Sequence, residues 1–319
     1  MRSAHRTKRL SCRAAFARPS AALAGWTSLA LASGARAARG PCRLPAALRA
    51  GLLEARLQSR HEIEHPGAFL PLGLGDLDLL AFHFRANDLH QVRAIVVRVL
   101  LRLERFGEVG DARGFIVVTP SGSGEPLYWN AHTGGPATPD DVAFVRDLLA
   151  KLDASLCTDT SRAYVAGYSM GGAMAELIAC EMPDRIAAVG LVAAVSIACG
   201  AKVPMIDFHG TDDIAVPFEG ADANDPRGAS PPVRRVASEW ARVAGCDGLA
   251  TISRPFPDIE LSTFHNCTVG DGQVLLYTVI NGGHTWPGAK LEFPVGHTTQ
   301  SIDASSLMLD FFKAHAKRA

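Results

Sequence analysis

Gly167-Tyr-Ser-Met-Gly171 is the segment best equipped for chemistry. A serine with a glycine two positions to either side fits a sharp strand-to-helix turn. There a flanking side chain would strike the neighbouring strand or helix, and the strained backbone pushes the hydroxyl outward. The local pattern agrees: the apolar run Ala163-Tyr-Val-Ala166 precedes the motif, and an alanine-rich helical segment follows from about Gly171 to Glu181. Such a helix aims its first N–H groups at the serine, so the amide of Met170 is a candidate donor to an oxyanion. The chemistry implied is nucleophilic attack by Ser169 on an acyl carbon.

A serine hydroxyl needs a base within hydrogen-bond reach. On a strand–turn–helix scaffold of this kind the partners follow in the order serine, acid, histidine. His284 lies in Gly282-Gly-His-Thr-Trp-Pro-Gly288, directly after the apolar run Gln273–Val279, and glycines before it let the ring reach across the end of a sheet. Its competitors are His209, His265, His297 and His315, and position and glycine flanks favour His284. The acid is expected after the preceding strand, in His209-Gly-Thr-Asp-Asp213. Spacing alone leaves Asp212 and Asp213 equally placed, with Asp207 inside the strand a weaker candidate.

Strands and helices must alternate to hold these groups. Gly114-Phe-Ile-Val-Val-Thr119 reads as a buried strand closed by Pro120, with Tyr128-Trp129-Asn130 in the loop beyond. Thr138-Pro-Asp-Asp141 predicts a helix start, with Thr138 as cap, Pro139 at the first helical position and two aspartates at the positive end of the dipole. Further strands are expected at 162–166, 186–195, 203–208 and 273–279, and further helices at 231–244 and 302–314. This alternation predicts an α/β fold, a mostly parallel sheet with helices on both faces.

The total charge is zero over 319 residues, but it is unevenly placed. Residues 1–105 carry seventeen Lys and Arg, all Arg except Lys8, against seven Asp and Glu, while the remainder is net −10. A net negative catalytic part argues against a nucleic-acid partner. No run of 18 or more apolar residues predicts a membrane span. MRSAHRTKRL followed by a soft apolar stretch ending in Ala35-Arg-Ala37 resembles a secretory leader, so export is expected. Of seven cysteines none forms a CxxC pair, and no metal or cofactor is implied. The five in the catalytic part read either as small core residues or as disulfides of an exported protein, with Cys246–Cys267 the leading pair.

Several segments together resemble the secreted polyhydroxybutyrate depolymerase and feruloyl-esterase-like group of α/β-hydrolases. They are Gly114-Phe-Ile-Val-Val, Trp129-Asn130, Asp140-Asp-Val-Ala-Phe144, the serine turn, His209-Gly-Thr-Asp-Asp-Ile-Ala-Val-Pro217, Gly282-Gly-His-Thr-Trp-Pro-Gly288, and Thr298-Thr with Ile302-Asp-Ala304. The resemblance covers residues 106–315 and implies a serine ester hydrolase needing no cofactor. It places the acid on Asp213 and implies that Trp286 lines the substrate pocket; Trp129 and Tyr168 are expected there too. A packed loop anchor is the competing role for Trp286. The substrates implied are small or oligomeric esters, hydroxyalkanoate-type or short and aryl. No polymer-gripping module follows the last helix, and solid polyester is therefore not expected.

Residues 1–105 depart from that group. No His-Gly dipeptide precedes Gly114, so the loop supplying a second oxyanion donor is missing, and Val92–Leu103 fits a helix or a strand equally. The early strands are not recognisable, and the N-terminal third is expected to be irregular. An unrelated extension or a shifted reading frame up to Arg105 would account for it. Loss of one oxyanion donor costs about 10²–10³ in turnover, and an open sheet edge endangers folding. The rival readings are a feruloyl or acetyl xylan-type carbohydrate esterase, a serine peptidase, and an impaired remnant or binding protein.

Overall fold

The computed structural model describes residues 106–317 apart from 121, 124–127, 132–138, 157, 198, 226–227, 269–271 and 291–295, together with the backbone of two earlier strands at 27–32 and 94–97. Strands β1 (Thr27–Ala32), β2 (Ala94–Val97), β3 (Phe115–Val118), β4 (Ala163–Ser169), β5 (Ile186–Val192), β6 (Met205–Gly210), β7 (Asp247–Phe256), β8 (Ile259–His265) and β9 (Val274–Val279) form one sheet in the order β1-β3-β2-β4-β5-β6-β9-β8-β7. The stretch from β3 to β9 is parallel throughout, while β8 and β7 extend it as an antiparallel hairpin. β1, from the segment resembling a leader, pairs antiparallel with β4 and through Leu31 with Val118 of β3.

Side-chain alternation explains why helices cover both faces. Ile116 and Val118 point to one face, Phe115 and Val117 to the other; Val165 opposes Tyr164 and Ala166, and Met205 opposes Ile206 and Phe208. On the first face pack α2 (Asp141–Ser155), α3 (Met170–Glu181) and α4 (Val233–Val243), contributing Leu149, Met174, Ile178 and Trp240. On the second pack α1 (Phe106–Arg113) and α5 (Ala304–Ala314), whose Phe312 stacks on Tyr164 at 4.8 Å. The parallel strands are buried on both faces, as all-parallel sheets require. Among the described residues no helix is long and apolar enough to cross a membrane.

Four expectations change here. Ala94–Val97 is a strand, and it fills the place between β3 and β4 that was expected to lie open. Four residues of Ala, Ile and Val are too short a run for periodicity to separate helix from strand. The β7–β8 hairpin has no counterpart in the sequence reading, because β7 is exposed along nearly its whole length and carries no alternation. Helix α1 was likewise unassigned. The cap of α2 is Asp140, whose carboxylate accepts the Ala143 N–H at 2.8 Å. Asp141 stays in the first turn, as expected of an acid at the positive end of the dipole, and is buried there, accepting the amide of Asn130 at 2.8 Å. Thr138, Cys12, Cys42 and Cys157 lie outside the described residues, as does most of the stretch 1–105 in which a His-Gly dipeptide was sought.

Disulfides join Cys180 to Cys199 and Cys246 to Cys267. The first ties the end of α3 to the segment after β5; the second ties the start of β7 to the end of β8.

Candidate active site

Ser169 ends β4 and caps α3 with φ 54° and ψ −123°, a combination L side chains rarely adopt. Two features hold that turn. Val195 donates its N–H to the Ser169 carbonyl at 3.3 Å. Gly172 lies so close to the exit of β5 that a Cβ there would sit 2.4 Å from the Ala194 Cβ. The glycine after the five-residue motif is therefore itself sterically required. Met170 is the first residue of α3, so its amide belongs to the helix end that has no intrahelical acceptor.

The exits of β6 and β9 are joined at the backbone. Thr211 donates its N–H to the Val279 carbonyl at 2.9 Å and Asp212 to that of Gly282 at 2.8 Å. A Cβ on Gly210 would fall 2.1 Å from the Gly282 oxygen, so only glycine permits this approach. It brings Asp213 under His284. The His284 Nδ1 lies 2.8 Å from Asp213 Oδ2, and its Nε2 lies 3.0 Å from Ser169 Oγ. Asp213, a carboxylate, can only accept, so Nδ1 carries the proton and Nε2 is left to accept from the serine hydroxyl.

Asp213 is buried, and its Oδ1 accepts the N–H groups of Ala215 at 2.9 Å and Val216 at 2.8 Å. Burial alone would raise its pKa; hydrogen bonds from His209 and His284 and their charge outweigh that and hold the carboxyl well below the usual range. Asp212 is exposed and bonded by its neighbour Thr211, at 3.1 Å. Of the other histidines, His265 and His297 are exposed, and His315 sits beside the Phe311 carbonyl at 2.7 Å.

The three aromatic residues expected at the substrate are placed elsewhere. Tyr168 is buried, and its hydroxyl donates to the His284 carbonyl at 2.7 Å, with the two rings 4.9 Å apart. It braces the histidine loop. Trp286 is 5% exposed, donates its indole N–H to Ser305 Oγ at 3.1 Å and meets Phe106 edge-on at 6.1 Å. It anchors that loop to α5 and α1. Trp129 is 1% exposed and packs in the core with Phe144 beside it. For Trp286 this is the loop-anchor role that the sequence reading set against a pocket role; for Tyr168 and Trp129 no sequence signal told that the ring would be buried.

Two further buried acids lie behind the site. Glu176 of α3 accepts the Ile197 N–H at 3.1 Å and the Ser196 hydroxyl at 3.3 Å. Burial pushes its pKa up to about 8, against those hydrogen bonds. A carboxyl raised above its unfolded range near 4.5 stabilises the fold fully below that range and loses the contribution as pH rises through about 8. Glu176→Gln, neutral at every pH, is therefore expected to flatten the alkaline loss of stability. Between pH 6 and pH 9 the wild-type Tm should fall by roughly 5 °C more than that of the variant in thermal scans. Parallel Tm curves would contradict this.

No family model matches the chain. It is 32% identical over 196 residues to feruloyl esterase B of Piromyces equi, an alignment covering 56% of this chain and 35% of that protein. It is 29% identical over 197 residues to "Putative esterase NocK" of Nocardia uniformis subsp. tsuyamanensis, covering 54% of this chain and 57% of that one. The chain thus spans between a third and three-fifths of the length of these relatives. Among solved structures an acetyl xylan esterase from Aspergillus awamori matches with TM-score 0.45 and 15% identity, over 66% of this chain and 81% of that one.

Proposed function

We propose that this chain, related in sequence to feruloyl esterases and built on a mostly parallel α/β sheet, is a serine carboxylic ester hydrolase that works through an acyl-enzyme. The observation that carries the reading is the continuous hydrogen-bond chain Ser169–His284–Asp213, with links of 3.0 and 2.8 Å. Ser169 Oγ attacks the ester carbonyl as His284 Nε2 takes its proton. The imidazolium, held by Asp213, returns that proton to the departing alcohol, and water then releases the acid by the reverse route. The Met170 amide, at the positive end of α3, stabilises the oxyanion. The catalytic roles of Ser169, His284, Asp213 and Met170 belong to this proposal.

The names of the relatives favour aryl esters of the feruloyl kind over hydroxyalkanoates. Two disulfides support an oxidising compartment, hence export. The deciding experiment presents nitrophenyl acetate, methyl ferulate, acetylated xylan oligomers, hydroxybutyrate oligomers and a peptide amide to the same preparation, alongside a fluorophosphonate probe. Ester turnover with covalent labelling at Ser169, and no amide cleavage, is expected. A folded protein that neither turns over any ester nor reacts with the probe would leave a binding protein or an impaired remnant as the reading.

A further inference from the structure

His209, the last residue but one of β6, is 2% exposed, and its Nε2 faces two acceptors, the Val216 carbonyl at 2.9 Å and Asp213 Oδ2 at 3.4 Å. A carbonyl cannot donate, so Nε2 carries a proton, and the longer contact shares it with the same carboxylate oxygen that binds His284. Asp207 lies two residues earlier on the strand and therefore on the same face. It is buried and its Oδ1 has no hydrogen-bond partner. Asp207, His209, Glu176 and Ser196 line a cavity of about 20 Å³, large enough for one water.

We propose that His209 is a positioning residue for the Ser169 reaction: buried between Asp207 and Asp213, its imidazole fixes the Asp213 carboxylate toward His284 and sets how readily the base is protonated. The inference rests on the esterase reading above.

Asp213 Oδ1 is fixed by two backbone amides, while Oδ2 takes both imidazoles. The carboxylate therefore has no freedom to rotate while His209 is present. The charges around His209 are consistent with a cation. Asp207 stands behind it on β6, and Asp213 stands before it in the loop. Glu176 of α3 is neutralised by burial, and His284 lies beyond Asp213. From α4, Arg234 lies 5.1 Å over the far ring of Phe218 and is paired with Glu260 of β8 at 2.8 Å. Burial opposes the charge on His209, but the hydrogen bond to Asp213 and the two carboxylates outweigh it and raise its pKa above the free imidazole range. Burial likewise pushes Asp207 up to about 6, against the pull of the His209 ring.

The test uses His209→Gln, which retains an N–H donor but no charge, and His209→Phe, which retains neither. Both are assayed on nitrophenyl acetate from pH 5 to 9, with Tm recorded. With the cation gone, protonation of the base becomes easier. The acid limb of kcat/KM should move to higher pH by about one unit in His209→Gln, with kcat at its plateau within tenfold of wild type. His209→Phe should also lower plateau kcat on the order of 10²-fold at unchanged KM, because Asp213 Oδ2 loses one of its two imidazole partners. A purely structural histidine would lower Tm and leave the limb in place. A folded His209→Gln with the wild-type limb overturns the inference, even if His209→Phe fails to fold. An inert wild-type protein overturns the esterase reading and this one with it.

Discussion

Ser169→Ala is expected to lower kcat for nitrophenyl acetate by about 10⁵–10⁶-fold and to abolish fluorophosphonate labelling, because alanine offers no oxygen at the start of α3 to take the acyl carbon. The expected loss is in turnover and not in folding, since alanine keeps the backbone and removes one oxygen. The companion Ser169→Gly separates chemistry from strain. The serine holds φ 54° and ψ −123°, a region that costs a side chain about 1–3 kcal/mol and costs glycine little. Part of that gain is cancelled by the greater freedom of glycine in the unfolded chain. The glycine variant should be as inactive as the alanine one yet melt about 2–4 °C higher, as a gain near 1 kcal/mol implies. Equal melting temperatures would show that the turn is not strained. Hydrolysis surviving in either variant would remove Ser169 from the mechanism.

Asp213→Asn should reduce kcat by about 10⁴-fold at neutral pH with KM little changed. An asparagine amide can turn its NH₂ toward His284 and favour the tautomer with the proton on Nε2, facing the serine in the wrong state. The two backbone amides that bind Oδ1 at 2.8 and 2.9 Å keep the loop in place, so the defect is chemical. Stability should fall as well. The carboxyl has a depressed pKa, so its contribution is present in full above the unfolded range near 3.8 and fades only as pH drops through the folded value. Removing it therefore lowers Tm at neutral pH and makes the acid side of the Tm profile flatter. Asp212→Asn is the control: that residue is exposed and bonded only locally among the described contacts, and its activity should be unchanged. Comparable losses at both positions would mean that the acid has been misassigned.

Much of the site was legible because the relevant signals are local. A serine between glycines, after an apolar run and before a helix former, leaves few backbone solutions. Glycines before His284 mark a loop that must cross a sheet end. Even so, Asp212 and Asp213 are indistinguishable by spacing. The choice between them is made by which carboxyl turns inward, and that depends on the contact of Gly210 with Gly282 across 72 positions. The aromatic residues were misplaced for a related reason. Trp286 and Tyr168 sit next to reactive residues in sequence, yet their polar ends are satisfied by Ser305 and by a backbone carbonyl in a different element. The outermost strand, β7, was missed because an exposed edge strand has no hydrophobic face to announce it.

The linear order of residues by itself determined the alternating α/β pattern, the strained turn at Ser169 and the loop carrying His284, since each follows from backbone sterics and periodicity within a dozen residues. Local spacing left Asp212 and Asp213 open, and the resemblance pointed to Asp213; tertiary structure decided that Ala94–Val97 enters beside the nucleophile strand, that Trp286 anchors its loop, and that His209 shares the acid's oxygen. Those outcomes depend on hydrogen bonds and desolvation between segments far apart in the chain, and burial changes the cost of a charge or an unpaired N–H by more than any local preference does.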